Sequence, residues 1–164
     1  PQTAETAIQA SLTGQLMLTS FRSDSAVTAV SRLSDLGLEA YLLRSGIIGT
    51  CWQRLLRKLC DCSTESRNHD DFFGLPIDRC RVASGCEHCS GTGFRGRIIA
   101  SEFLPIRNSE IANKIFGSSD SRTTYRHAID SGMKSLWERA TELVREDVTS
   151  PAEVRRVLVV SMRS

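Results

Sequence analysis

Six cysteines are the residues of this sequence best suited to chemistry, and five of them lie between positions 60 and 89. Cys86 and Cys89 are separated by two residues, a spacing at which one turn presents two thiolates to a single zinc ion. Cys60 and Cys62 are separated by one residue and are the candidates for the other two thiolates. Because catalysis requires an open coordination position, four thiolates would make a structural rather than a catalytic site.

Three further residues could complete the metal site, because the C-x-C pair is tighter than the usual spacing of a zinc-binding pair. These reserve ligands are Cys80, His88 and, more weakly, His69. The alternative interpretation is that the cysteines are ordinary buried or free thiols. Glycines beside the C-x-x-C pair favour a metal site, because they allow backbone amides to bend towards the sulfur atoms. We therefore expect a structural zinc ion.

Composition and motifs argue against several other functions. The 164 residues carry a net charge of +2, which gives no argument for a nucleic-acid or membrane partner. The longest apolar stretch, Tyr41–Trp52, is interrupted by Arg44 and is too short to span a membrane. The sequence contains neither H-E-x-x-H nor G-x-x-x-x-G-K-[ST], the phosphate-binding loop. No signal peptide opens the chain, so we expect a reducing compartment, and the helix-like start suggests a piece of a longer protein.

The apolar pattern before the cysteines predicts helices and a strand. A helix is expected over Thr3–Leu12, followed by a short buried strand over Leu16–Phe21. Asp24 is a candidate N-cap for a second helix that ends at Gly37. Its inward face would carry Val27, Val30, Leu33 and Leu36.

A third helix is expected over Ala40–Leu59, interrupted near Gly46 or Gly49, and it would bury Cys51 in the core. After the cysteine-rich stretch, Arg97–Ile106 is predicted to be a strand and the remainder helical. A stripe at helical spacing comprises Met133, Leu136, Trp137, Ala140, Leu143 and Val144.

The last helix carries the clearest start signal in the sequence. Ser150 would be its N-cap, Pro151 would occupy the first turn, and Glu153 would close a capping box. Its buried face would carry Val154, Val157 and Leu158.

Two known families share motifs with this chain. CEHCSGTG resembles the C-x-x-C-x-G-x-G zinc repeat of the DnaJ-type chaperones, but that family has four copies and this chain has one.

A much longer resemblance is to the traffic ATPases of type II secretion and type IV pilus assembly. Their E-T-A and A-L-T-G-H-L-V-L-S-T-L-H-T-N-D-A motifs are similar to QTA, which starts at Gln2, and to SLTGQLMLTSFRSDSA. Their A-Q-R-L-x-R-x-L-C is similar to WQRLLRKLC, and their G-C-x-x-C-x-x-T-G-Y-x-G-R-x-x-x-x-E is similar to GCEHCSGTGFRGRIIASE. Their G-M-x-x-L and G-x-T-x-x-E-E-V are similar to GMKSL and DVTSPAEV.

The second resemblance covers most of the chain and implies an α/β fold, predominantly helical. Residues 1–59 would be the distal part of a RecA-like P-loop ATPase core. Residues 60–96 would be an inserted tetracysteine zinc module, and residues 97–164 a return strand and C-terminal helical subdomain. The implied parent is a hexameric ATPase that uses ATP and Mg²⁺. It would be cytoplasmic and peripheral to the inner membrane, with an inner-membrane platform protein as partner and no nucleic-acid partner. This chain lacks Walker A and Walker B motifs, so it would be inactive alone.

Departures from the family affect the histidine box, whose two histidines correspond to Gln15 and Arg22 here. Gln53 and Arg54 match the family. The resemblance therefore places Arg22, Gln53 and Arg54 near the nucleotide or a subunit interface. Without the resemblance, Arg22, Gln15 and Arg54 would be interpreted as surface polar residues. Arg22 could meet a γ-phosphate but could not exchange a proton near neutral pH as histidine can. The family's acidic residue in E-T-A corresponds to Gln2.

Two alternatives to an active ATPase remain open at the level of sequence. One is a degenerate, non-hydrolysing paralogue, and the other is a zinc-stabilised protein-interaction module without a nucleotide role. Arg97 is predicted either to pair with Glu102 or to face a neighbouring subunit. For Arg97 and Arg95, surface positions without a function are equally compatible with the sequence.

Overall fold

Helices and strands are mixed along the chain, which confirms the predicted α/β class. The structure is a computed structural model that describes residues 2–106, 113, 115 and 120–161. Its helices in this part of the chain are α1 Gln2–Leu12, α2 Ala26–Asp35, α3 Ala40–Gly46, α4 Ser121–Asp130, α5 Leu136–Arg145 and α6 Pro151–Ser161. Its strands are β1 Gly49–Leu59, β2 Thr64–Ser66, β3 Cys80–Val82 and β4 Phe94–Pro105.

The chain divides into two compact units. The first comprises Pro1–Trp52 and Glu102–Lys134, and the second comprises Gln53–Ser101 and Ser135–Ser164. Strands β1 and β4 pair with each other, and each contributes residues to both units. The whole predicted zinc module, residues 60–96, lies within the second unit.

Two apolar clusters form the core of the first unit. The larger is built on Val27 and Val30 of α2 and Leu104 of β4, and the smaller on Ile8 of α1 and Leu43 of α3. The larger cluster also contains Ala26, Ile106, Ile115, Ala128 and Met133. Leu33 of the predicted inward face is half-buried, whereas Leu36 is exposed because the helix ends at Asp35.

The start of α2 differs by one residue from the prediction. Ser25, not Asp24, is the N-cap, because its side chain accepts a hydrogen bond from the backbone N–H of Thr28. Asp24 instead pairs with Arg32, at 3.4 Å. Gly37 follows the helix with a φ of 85°, as expected for a residue that ends a helix.

Two predicted elements are wrong. Leu16–Phe21 is not a buried strand: it has no regular structure, and Leu16 and Leu18 are 73% and 87% exposed. The predicted interruption of Ala40–Leu59 near Gly46 is present, since α3 ends there, but the chain from Gly49 to Leu59 is strand β1 and not helix. A strand is stabilised by hydrogen bonds to a neighbour, and β1 obtains them from β4, far away in sequence.

In the second unit, β2 and β3 form an antiparallel pair in which Glu65 lies opposite Arg81. Helix α5 begins with a capping box in which Ser135 and Glu138 bond to each other's backbone N–H groups. Met133 lies before this helix, whereas the rest of the predicted stripe falls within it. Helix α5 contacts α6 and β3.

Helix α6 begins as predicted, but only half of its capping box forms. Ser150 Oγ accepts a hydrogen bond from the N–H of Glu153 at 3.3 Å. The Glu153 carboxylate instead accepts hydrogen bonds from Arg57 and Arg156. Val154 and Leu158 are buried, and Val157 is half-buried.

Candidate metal centre

Backbone hydrogen bonds bring the two cysteine pairs together. Strand β1 ends at Leu59, whose N–H donates to Val148 O at 2.9 Å. The next N–H, of Cys60, donates to Gly93 O at 3.0 Å, and a turn returns the chain so that Ser63 N–H reaches Cys60 O. The first pair is thus tied by its backbone to the chain that immediately follows the second pair.

The second pair lies on a short 3₁₀ helix, Glu87–Cys89, with Cys86 as its N-cap. Ser90 follows with a φ of 51°, in the left-handed region. This reversal places both sulfur atoms of the C-x-x-C turn on one side, with Cys86 Sγ and Cys89 Sγ 3.7 Å apart.

The four sulfur atoms have the separations of a tetrahedral thiolate site. Cys60 Sγ lies 3.8 Å from Cys86 Sγ, and Cys62 Sγ lies 3.9 Å from Cys89 Sγ. All four lie within 4.8 Å of one another. Four sulfurs at the usual zinc distance of about 2.3 Å would be about 3.8 Å apart, so the cluster fits a zinc ion.

Electrostatics within the cluster favour one thiolate and resist further ionisation. Burial opposes ionisation of Cys89, but N–H groups of Cys86 and Gly93, each 3.1 Å from its sulfur, lower its pKa to about 6. The Gly85 backbone favours the Cys62 thiolate, yet desolvation and the neighbouring cysteines raise the pKa of Cys62 to about 12. A divalent cation would provide the positive charge that allows all four to ionise.

Two glycines are required where the backbone folds around the sulfurs. Gly93 has a φ of 73°, and a Cβ there would lie 2.6 Å from the Cβ of Ala83. Gly85 has a φ of 110°, and a Cβ there would lie 2.6 Å from Gly91 O. Larger residues would push the second pair out of place.

The reserve ligands lie outside the cluster. Cys80 is buried in β3, where its Sγ is 3.9 Å from Asp71 O, and burial together with nearby carboxylates raises its pKa. His88 is exposed, and His69 packs edge-on against Phe72, with ring centroids 5.0 Å apart. The prediction that Cys51 is a core residue of a helix is wrong, because it is exposed on β1.

A buried ion network near the end of β1 was not predicted. The Glu153 side chain has no solvent exposure. Its oxygens accept hydrogen bonds from the Arg57 backbone and guanidinium and from the Arg156 guanidinium, at 2.6–3.0 Å. Arg57 also lies over the ring of Phe94, 4.0 Å from its centroid. The sequence did contain a sign of this network, because Glu153 lies next to the buried residues of α6. The capping-box interpretation gave Glu153 a local role, so no distant partner was expected.

Arg97 lines an open groove of about 570 Å³ with Arg57, Thr92, Phe94 and Gly96. Glu102, its predicted partner, instead accepts hydrogen bonds from the Ala26 N–H and the Tyr125 hydroxyl. Arg95 is exposed.

The residues predicted at a nucleotide or subunit interface fall in different units. Gln15 and Arg22 are exposed in the first unit, in the irregular segment between α1 and α2. Gln53 is exposed and Arg54 half-buried on the part of β1 that belongs to the second unit. Their predicted role stays a prediction.

Residues 1–156 match the family model described as Type II/IV secretion system protein, and the chain belongs to that family. Type II secretion system protein E of Pseudomonas aeruginosa is 37% identical over 163 residues, covering 95% of this chain and 32% of that protein. Type II secretion system ATPase E of Vibrio cholerae is 34% identical, covering 95% of this chain and 32% of that protein. Type IV pilus assembly ATPase PilB of Thermus thermophilus is 29% identical, covering 93% of this chain and 18% of that protein. The chain therefore spans a third or less of these relatives, and the predicted family is confirmed.

Among the described residues, none of the helices combines the length and the apolar character needed to cross a bilayer.

Proposed function

We propose that this chain is the C-terminal portion of a hexameric ATPase that powers type II secretion or type IV pilus assembly. The observation that carries the proposal is the family match over residues 1–156, together with relatives named as ATPases of both systems. Residues 1–59 would belong to a RecA-like core, residues 60–96 to a zinc module and residues 97–164 to a helical subdomain. The partner would be an inner-membrane platform protein, and the ATPase would lie at the cytoplasmic face of that membrane.

The metal is proposed to be a structural zinc ion held by Cys60, Cys62, Cys86 and Cys89. An all-sulfur donor set with tetrahedral separations supports zinc over the harder cations magnesium and calcium. A closed set of four ligands leaves no position for substrate, so the ion would supply folding energy rather than chemistry.

ATP and Mg²⁺ are proposed to bind mainly through residues outside these 164, because the sequence here has no phosphate-binding loop. Arg22, Gln53 and Arg54 would lie at the nucleotide or at a subunit interface. Arg22 would supply a fixed positive charge to a phosphate, and the chain alone would not hydrolyse ATP.

Zinc per chain tests the metal assignment. Protein purified without added metal or chelator is expected to carry about one zinc ion per chain, measured by elemental analysis. Cys62→Ser should lose it, whereas Cys51→Ser, a matched change at an exposed cysteine outside the cluster, should keep it. Zinc near zero in the unchanged protein, or equal loss in both variants, would contradict the assignment.

ATP hydrolysis tests the enzyme assignment, in the protein that contains this chain together with its nucleotide-binding residues. Steady hydrolysis that Arg22→Ala reduces would support the proposal. Replacement of the family's histidines by Gln15 and Arg22 favours one alternative, a paralogue that binds ATP without hydrolysing it. Nucleotide binding without turnover would establish that alternative, and absence of nucleotide binding would refute both.

A further inference from the structure

The backbone of residues 22–26 is held by side chains from three different elements. This 22–26 segment joins the irregular stretch after α1 to the first residue of α2. The four hydrogen bonds are Arg32 Nη1 to Arg22 O at 2.6 Å, Trp52 Nε1 to Ser23 O at 2.9 Å, Thr50 Oγ1 to Ala26 O at 2.8 Å, and Ala26 N to Glu102 Oε1 at 2.6 Å. All of these residues belong to the first unit.

Glu102 is the most constrained member of this set. It is only 1% exposed, and its carboxylate also accepts a hydrogen bond from the Tyr125 hydroxyl at 3.1 Å. A buried carboxylate is costly unless it is hydrogen-bonded, and the N-terminus of a helix is a favourable place for one. Because Ala26 begins α2, Glu102 fixes both the position and the direction of that helix start relative to β4.

The backbone of Arg22 is hydrogen-bonded to the fold, whereas its side chain is exposed. Its carbonyl is held by Arg32, and the next residue, Ser23, is buried and bonded to Trp52. Arg22 itself is exposed, as are residues 15–21 before it. The fold therefore immobilises the backbone on which this guanidinium stands.

We propose that Glu102, Trp52 and Thr50 are positioning residues that hold the 22–26 segment so that Arg22 presents its guanidinium to the terminal phosphate of a bound nucleoside triphosphate. We call the four hydrogen bonds from Arg32, Thr50, Trp52 and Glu102 to the 22–26 segment the clamp. The identity of the ligand rests on the proposed function, but the clamp itself does not. A fixed backbone lowers the ordering cost when an arginine side chain binds a phosphate. Arginine also matches phosphate oxygens with two parallel N–H donors.

Trypsin tests the clamp directly, because it cleaves after Arg22 and cleavage requires the bond to leave its folded conformation. Thr50→Val and Trp52→Phe each remove one donor and keep most of the side-chain shape. Loss of one such hydrogen bond is expected to speed cleavage after Arg22 about tenfold. Cleavage after Arg126, within α4 of the same unit, should keep its rate and reports on general unfolding.

Glu102 supplies the conservative comparison. Glu102→Gln retains an oxygen that accepts from the Ala26 N–H, so it should protect the Arg22 bond better than Glu102→Ala. Glu5→Ala, at an exposed glutamate of α1, is the matched control and should leave both cleavage rates unchanged. Equal acceleration at Arg22 and Arg126 in every variant, or no acceleration at Arg22, would overturn the clamp.

Nucleotide affinity separates positioning from simple stability. In the ATPase that contains this chain, Thr50→Val and Trp52→Phe are expected to weaken binding of Mg-ATP about tenfold and to leave ADP affinity unchanged, because only ATP carries the γ-phosphate. Selective cleavage at Arg22 with equal effects on ATP and ADP would overturn the phosphate role and leave the clamp standing. Absence of any nucleotide binding in the unchanged protein would instead refute the proposed function.

Discussion

The buried Glu153 network makes a prediction whose size follows from the structure. Glu153→Gln removes the negative charge while nearly keeping the shape of the side chain. Burial alone would raise the pKa of Glu153, but hydrogen bonds from Arg156 and Arg57 lower it from an ordinary 4.5 to about 2. The side chains of Arg57 and Arg156 are 41% and 57% exposed, so water screens part of their attraction for the carboxylate.

The lowered pKa converts into a free energy of unfolding. A fall from 4.5 to about 2 corresponds to about 3 kcal/mol at neutral pH. Screening of the exposed guanidinium groups reduces this to about 2 kcal/mol. Because the folded pKa is the lower one, the stabilisation is complete above pH 4.5 and is lost as the pH falls towards 2.

The assay is urea unfolding of the zinc-loaded protein, followed by circular dichroism at several pH values from 7 to 3. We expect Glu153→Gln to cost about 2 kcal/mol at pH 7 and about half of that near pH 3. Release of the proposed zinc ion at low pH would affect both proteins, so the difference between them at each pH is the quantity to compare. Glu146→Gln, at an exposed glutamate that follows α5, should cost about 0.5 kcal/mol or less.

A difference that stays constant from pH 7 to 3 would refute the reasoning, because it would show that the charge of Glu153 contributes nothing. A cost at pH 7 no larger than that of Glu146→Gln would have the same meaning. Arg57→Ala provides an independent check: it should destabilise the protein through the loss of both the ion pair and the contact with Phe94.

Two further predictions concern the cysteine-rich stretch. Gly93→Ala should lower the free energy of unfolding by about 2 kcal/mol and weaken zinc retention, because the new Cβ would meet Ala83. Gly91→Ala is also at positive φ but in open space, so it should cost only about 1 kcal/mol. Urea unfolding measures the stability and elemental analysis the zinc, and equal costs for the two variants would contradict the packing argument. In the zinc-loaded protein, iodoacetamide should modify exposed Cys51 quickly and buried Cys80 slowly, since burial raises the pKa of Cys80, and chelation should then expose the cluster thiols. Mass spectrometry after timed quenching measures this order, and equally fast modification of both residues would show that the assigned burial is wrong.

The clustering of Cys60, Cys62, Cys86 and Cys89 could be predicted because its signal is local. Cys86 and Cys89 lie in one turn beside glycines, which restricts the backbone and the chemistry at once, and Cys60 and Cys62 had the only other close spacing. The exclusion of Cys80 could not be predicted, since it depends on the packing that buries its sulfur beside Asp71 O.

Strand β1 shows why other elements could not be predicted. The stretch QRLLRK contains good helix formers, and its polar and apolar residues do not alternate. Strand β4, which begins 35 residues after Leu59, provides the hydrogen bonds that make it a strand. Leu16–Phe21 fails in the opposite way: its apolar composition suggested a strand, but it pairs with no strand in the part of the chain that the structure describes.

The ion network and the clamp depend on contacts between residues far apart in sequence. Glu153 meets Arg57 across 96 positions, and Glu102 meets Ala26 across 76. Each of these glutamates lies among buried neighbours. From the sequence, Glu153 was predicted to close a capping box, and Glu102 was predicted to pair with Arg97. Buried charged residues are costly without partners, so each such glutamate is a reason to search for a distant donor.

The arrangement of the four cysteines also has a consequence for the order in which the chain folds. Cys86 and Cys89 are neighbours in one turn and can hold an ion before any distant contact exists. Cys60 and Cys62 join them only when the intervening chain closes into a loop, and the entropy of closure opposes that step. Closure brings the end of β1 beside Gly93, just before β4 begins. Capture of the proposed zinc ion would thus start the pairing of these two strands, and the supply of that ion during synthesis would set how quickly the second unit forms.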